Sequence, residues 1–112
     1  MSGAVDAVRY AIEQGGEADE VLRAVVDSVG AVPEITWVGI AFAEGSILVL
    51  GPSRGDPDEE RRERVPIAYD GAPVGELWVD GAVRRDDLEQ VAALIAPYVL
   101  TGWDTGGEGW EP

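Results

Sequence analysis

Apolar residues repeat at helical spacing towards both ends of this 112-residue chain and alternate through its middle. In residues 4–13, Val5, Val8 and Ile12 recur every three to four positions, and Gly15-Gly16 stops the run. Residues 17–29 repeat the pattern more strongly. Ala18, Val21, Leu22, Val25, Val26 and Val29 form one stripe, and Glu17, Asp19 and Glu20 occupy the first turn, where the helix dipole favours anions. Gly30 ends that helix and Pro33 prevents a restart. A third helix is predicted over 84–100, with Leu88, Val91, Ala92, Ile95 and Val99 facing inward and Asp86 or Asp87 as its cap. Pro97 falls inside it and removes the amide that would bond the Ala93 carbonyl, which predicts a kink or an early end. Helices this short are marginal alone and must dock on something.

That partner is a sheet of two hairpins. The first joins residues 36–42 to 47–52 through a turn at Glu44-Gly45; the second joins 65–69 to 74–80 through Asp70-Gly71. Residues 51–61, rich in Gly, Pro and charge, read as an exposed loop between them. The predicted class is α+β: a four-stranded, mainly antiparallel sheet with the N- and C-terminal helices on one face. Residues 1–100 form a single domain, and 101–112 form a Gly-rich tail that carries Trp103 and Trp110.

Alternation gives each strand two rows of side chains. Val38, Ile40 and Phe42, then Val65, Ile67 and Tyr69, then Gly75, Leu77 and Val79 make one row, which belongs beneath the helices. The other row holds Trp37, Gly39 and Ala41, then Arg62, Arg64, Pro66 and Ala68, then Val74, Glu76, Trp78 and Asp80. This second face is too apolar to be merely wet and too charged to be core. Two readings follow. Trp37, Arg62, Arg64, Trp78 and Asp80 line a ligand or partner site, since apolar patches mark contacts. Alternatively the indoles pack against each other or under the tail, while Arg62, Arg64 and Pro66 guard an edge strand.

Composition narrows the chemistry. The chain has 22 acidic and 8 basic residues, a formal charge of −14, and every basic residue is Arg. Such a field repels phosphate backbones and anionic membranes, so no nucleic-acid or membrane partner is expected. There is no Cys and no His, which removes disulfides, thiolate nucleophiles, the usual general base and the commonest metal ligands. Asp80, Asp86 and Asp87 match no metal-loop spacing, and Ser53 has no His partner, so no metal, cofactor or catalytic residue is assigned. No apolar run reaches the ~20 residues of a bilayer span. The opening Met-Ser-Gly-Ala lacks the features of a signal peptide, which predicts a cytoplasmic protein.

The runs Trp37-Val38-Gly39, Leu48-Val49-Leu50-Gly51-Pro52 with Gly55, Val65-Pro66-Ile67, and Val74-Gly75-Glu76-Leu77 with Asp80 resemble the GAF domain family. Within it they are most similar to the free methionine-R-sulfoxide reductases, over residues 17–100. The resemblance implies a minimal GAF-like, profilin-like architecture: an antiparallel sheet, helices on one face, and a ligand pocket on the other carrying Trp37, Ala41, Arg62, Trp78 and Asp80. Trp37 and Asp80 match substrate-contacting positions of the reductases. Arg62 stands where they have an acidic residue ahead of Val65-Pro66, and Trp78 replaces a second carboxylate. Their long segment between the hairpins, which carries the catalytic and resolving cysteines and roofs the pocket, is replaced here by a connector of about 11 residues. Sulfoxide reduction of that type needs a thiolate, which this chain lacks. Cyclic-nucleotide and tetrapyrrole binding, known elsewhere in the family, also depend on the missing segment.

The expected function is therefore a non-catalytic module that acts by homodimerisation or protein contact, with Trp103 and Trp110 covering the second face. A sensor for an anionic or amino-acid-like ligand held by Arg62, Arg64 and Asp80 is the alternative.

Overall fold

The structure is a computed structural model that describes residues 3–109, with side chains over 3–100. Three helices and four strands follow in the order α1 (Gly3–Gln14), α2 (Ala18–Gly30), β1 (Ile35–Glu44), β2 (Ile47–Gly55), β3 (Arg62–Tyr69), β4 (Ala72–Gly81) and α3 (Arg85–Gly109), with one 3₁₀ turn, Glu59–Arg61, ahead of β3. The strands form one antiparallel sheet in the order β2-β1-β4-β3, as the α+β reading requires. Each predicted hairpin is present. The two hairpins join through β1 and β4, so β2 and β3 become the edges.

All three helices contribute to one core on one side of the sheet. Helix α2 packs over β1 and β2, α3 packs over β3 and β4, and α1 packs against both helices. The α2 stripe Val21, Leu22, Val25, Val26 and Val29 shares one cluster with Val38, Ile40 and Phe42 of β1 and with Val65, Ile67, Leu77 and Val79 of β3 and β4. Leu88, Val91, Ile95 and Val99 of α3 close the same cluster. Period-two strands and period-3.6 helices thus present their apolar rows to a single layer. The Glu17 amide donates to the Glu20 carboxylate at 3.0 Å, which ties down the start of α2.

Several expected boundaries move. The loop assigned to 51–61 is partly strand, because β2 continues to Gly55. Gly39 pairs with Ser53 and Ala41 with Leu50, so Gly51 and Pro52 together oppose Ile40 in a bulge. Pro52 is tolerated there because an edge-strand bulge asks for no ladder amide at that position. The first turn is Gly45-Ser46 instead of Glu44-Gly45: Glu44 still pairs with Ile47, and Gly45 takes φ 64°. The second turn is Asp70-Gly71 as expected, with φ of 58° and 83°, the left-handed pair that a tight hairpin demands.

Helix α3 does not end early at Pro97 but runs through it to Gly109. Ala93 and Pro97 both lie on the exposed side of α3, where water can serve the Ala93 carbonyl, while Ile95, Ala96 and Val99 anchor the helix on its other side. Nor is Asp86 or Asp87 the cap. The Arg84 carbonyl accepts the Leu88 amide, which puts both carboxylates inside the first turn, still at the favourable end of the dipole. The tail expectation falls outside the described residues, both for the Trp103 side chain and for Trp110. No helix among the described residues is long and apolar enough to cross a membrane.

Candidate functional site

Register, row by row, explains how the five predicted side chains meet. On the face away from the helices, Trp37 of β1 and Arg62 of β3 flank Asp80 of β4. In the next row Gly39 and Arg64 flank Trp78, and in the next Ala41 and Pro66 flank Glu76. Beyond Ala41, the β2 partner is Leu50. All five residues named from alternation therefore share one face, because cross-strand partners point the same way.

They form a ladder of alternating indole and guanidinium. The Arg62 guanidinium lies 4.4 Å from the centre of the Trp37 ring and 5.5 Å from that of Trp78. The Arg64 guanidinium lies 4.4 Å from the Trp78 ring. Arg62 thus bridges the two indoles. Gly39 makes room for this: a Cβ there would come within 2.5 Å of the Trp37 ring and 3.1 Å of Leu50. Only a glycine lets the indole lie across the strand.

Asp80 anchors the ladder. Its side chain is 0% exposed, and its Oδ1 accepts Arg62 Nε at 2.7 Å while Oδ2 accepts Arg62 Nη2 at 3.0 Å. Oδ2 also accepts the Asp58 backbone amide at 2.6 Å, which pins the β2–β3 connector to the end of β4. A bidentate carboxylate–guanidinium pair with an added amide is the arrangement in which a buried charge is best satisfied. Burial alone pushes the Asp80 carboxyl up. The hydrogen bonds from Arg62 and Asp58 and the charge of Arg62 outweigh it and hold the group below its ordinary value. Arg62, 9% exposed, is held above its own ordinary value mainly by its bond to Asp80.

The face is therefore not an open site with two arginines opposite a waiting carboxylate. Arg62 and Asp80 use each other, and Trp37 is only 6% exposed. Arg64 stays exposed and, among the described residues, has no carboxylate within ion-pair distance. A separate cleft lies between the start of α1 and the β4–α3 connection, lined by Val32, Glu34, Val83 and Asp87 among others; no ladder residue borders it.

Four contributors escaped the sequence reading. Glu76 was placed on this face but given no role; its Oε1 accepts the Trp78 indole N–H at 2.8 Å. The i, i+2 spacing of Glu76 and Trp78 was the available signal. Leu48 and Leu50, whose cross-strand partners are Ala43 and Ala41, extend the face along β2 and were legible from the same alternation. The Asp58 amide carried no signal, since a backbone group is anonymous in sequence.

No family model matches this chain, and no curated protein sequence matches it. Solved structures do. It is similar to the GAF domain of Acinetobacter phosphoenolpyruvate-protein phosphotransferase, with a TM-score of 0.69 at 14% identity over 96% of this chain and 99% of that one. It is similar to the fRMsr of Staphylococcus aureus in complex with its substrate, with a TM-score of 0.66 at 18% identity over 86% and 93%. The type II free methionine-R-sulfoxide reductase of Thermoplasma acidophilum superposes with a TM-score of 0.59 at 19% identity over 83% and 94%. Order of elements, sheet topology and these superpositions agree: the chain has the GAF-domain fold.

Proposed function

We propose that this chain is a non-catalytic GAF-fold module that works through protein contact. One observation carries the reading. On the sheet face away from the helices, the Arg62 guanidinium already sits between Trp37 and Trp78, with both oxygens of Asp80 engaged. A chamber for a small molecule on that face would have to expel a bidentate ion pair first, and breaking a buried pair costs about 3–5 kcal/mol. The absence of cysteine agrees with this, since the thiolate chemistry of a sulfoxide reductase has no nucleophile here.

The alternative, a sensor for an anionic or amino-acid-like ligand, is favoured by Arg64. It stands exposed on the Trp78 ring, a ready donor for a carboxylate or phosphate. One experiment separates the two. The purified chain and Arg64→Ala are titrated with amino acids, methionine sulfoxide, nucleotides and organic acids at millimolar concentration, following melting temperature and sulfoxide consumption. The contact module predicts no shift and no consumption. A shift abolished by Arg64→Ala supports the sensor, and turnover of sulfoxide overturns the non-catalytic reading.

A further inference from the structure

The two edges of the sheet are built differently. At β3, Arg62, Glu63, Arg64 and Pro66 interrupt the edge with charge and with a residue lacking an amide donor. These are ordinary defences against strand addition. At β2 the run from Ser46 to Ser53, Ser-Ile-Leu-Val-Leu-Gly-Pro-Ser, contains no charged residue in a chain carrying −14. Ile47 is 59% exposed, Leu48 39% and Leu50 47%. Ile47 pairs with Glu44 and Leu48 with Ala43, so the exposed apolar groups lie on both faces of the strand. The uncharged run of β1 is explained by its central place in the sheet; β2 has the composition of an interior strand at an edge position.

We infer that β2 is the pairing edge for a second copy of this chain, joined antiparallel about a two-fold axis at Val49, so that Leu48 of each copy faces Leu50 of the other. This rests on the reading of the chain as a contact module and names its partner. The choice of occupant follows from charge. Two copies at −14 repel almost everywhere, and a self-interface must use a stretch that brings no like charges together. The 46–53 run is such a stretch, and a two-fold operation lays it on itself. A basic partner, by contrast, finds no acidic side chain on this strand to recognise. The bulge at Gly51-Pro52 ends the flat segment and limits the pairing to residues 48–50. The outer backbone groups of β2 then gain partners, and Leu48 and Leu50 of both copies meet on the ladder side.

The test is mass in solution by light scattering across a dilution series, for wild type and for the double variant Leu48→Lys/Leu50→Lys. Both positions are exposed, so the variant folds, and an unchanged circular dichroism melt confirms it. The expectation is a dimer at high micromolar concentration, with association weakened about tenfold or more in the variant by the facing lysines. The chain has no native cysteine, so single cysteines at Leu48, Val49 and Leu50 in turn report the geometry cleanly. Disulfide-linked dimers are expected from this set and not from Tyr69→Cys at the opposite edge. A wild type that is monomeric throughout overturns the pairing, as does a dimer that ignores both lysines and links through residue 69. If that monomer also ignores every metabolite, only the β2 pairing fails; if a metabolite stabilises it, the contact-module reading fails with it.

Discussion

Replacing Arg62 by alanine should destabilise this fold more than its place on an edge strand suggests. The substitution removes the guanidinium that donates twice to Asp80, whose side chain is fully buried. Asp80 keeps only the Asp58 amide at 2.6 Å. An unpaired buried charge of this kind costs about 3–5 kcal/mol. The loss of two stacking contacts, at 4.4 and 5.5 Å, adds about 1 kcal/mol. For a chain of this length, about 4 °C of melting temperature accompanies each kcal/mol, so a fall of about 20 °C is expected. The pH dependence identifies the cause. In the variant, the burial of Asp80 is no longer outweighed, and its folded-state pKa rises above the unfolded value near 3.8. A raised carboxyl pKa stabilises the protonated form, so the deficit is full at neutral pH and shrinks as pH falls through the raised value. Urea unfolding of wild type and Arg62→Ala at neutral and at acid pH measures this. A deficit under about 1 kcal/mol, or one that is the same at both pH values, would refute the assignment of Asp80 as a buried charge held by Arg62.

The wild type should behave in the opposite sense. Its Asp80 pKa is held below 3.8, so the stabilisation is complete above that value and is lost as pH falls from there through the depressed folded-state pKa; Asp80→Asn should flatten that part of an acid-unfolding curve. Gly39→Ala should cost about 1–3 kcal/mol, because its methyl meets the Trp37 ring at 2.5 Å while Arg62 holds the indole in place. A thermal melt together with a shifted tryptophan emission would check it, and an unchanged melt would show that the indole is free to move.

Much of the architecture was legible from local periodicity. A strand alternates with period two, so the side on which Trp37, Arg62, Arg64, Trp78 and Asp80 stand follows from spacing within each strand. The helical stripes of α2 and α3 were legible for the same reason, as was Asp70-Gly71, whose turn geometry asks for those residue types. The ends of elements were less so. Pro52 and Pro97 look like breakers in sequence, yet one sits in a bulge and the other on the exposed side of α3. Whether a proline breaks an element depends on what its missing amide would have bonded, and that is a property of the surroundings.

Composition and spacing by themselves determined the α+β class, the exclusion of thiol chemistry and the membership of the second face. Only the tertiary structure decided what that face is. Strand order places β4 between β1 and β3, so Asp80 comes between Trp37 and Arg62 although 43 and 18 residues separate them in the chain. That neighbourhood turns residues from three separate strands into one indole–guanidinium ladder. The same order leaves the uncharged β2 at an edge. Side-chain direction is local, but pairing between distant strands sets which charges meet and which backbone stays unpartnered.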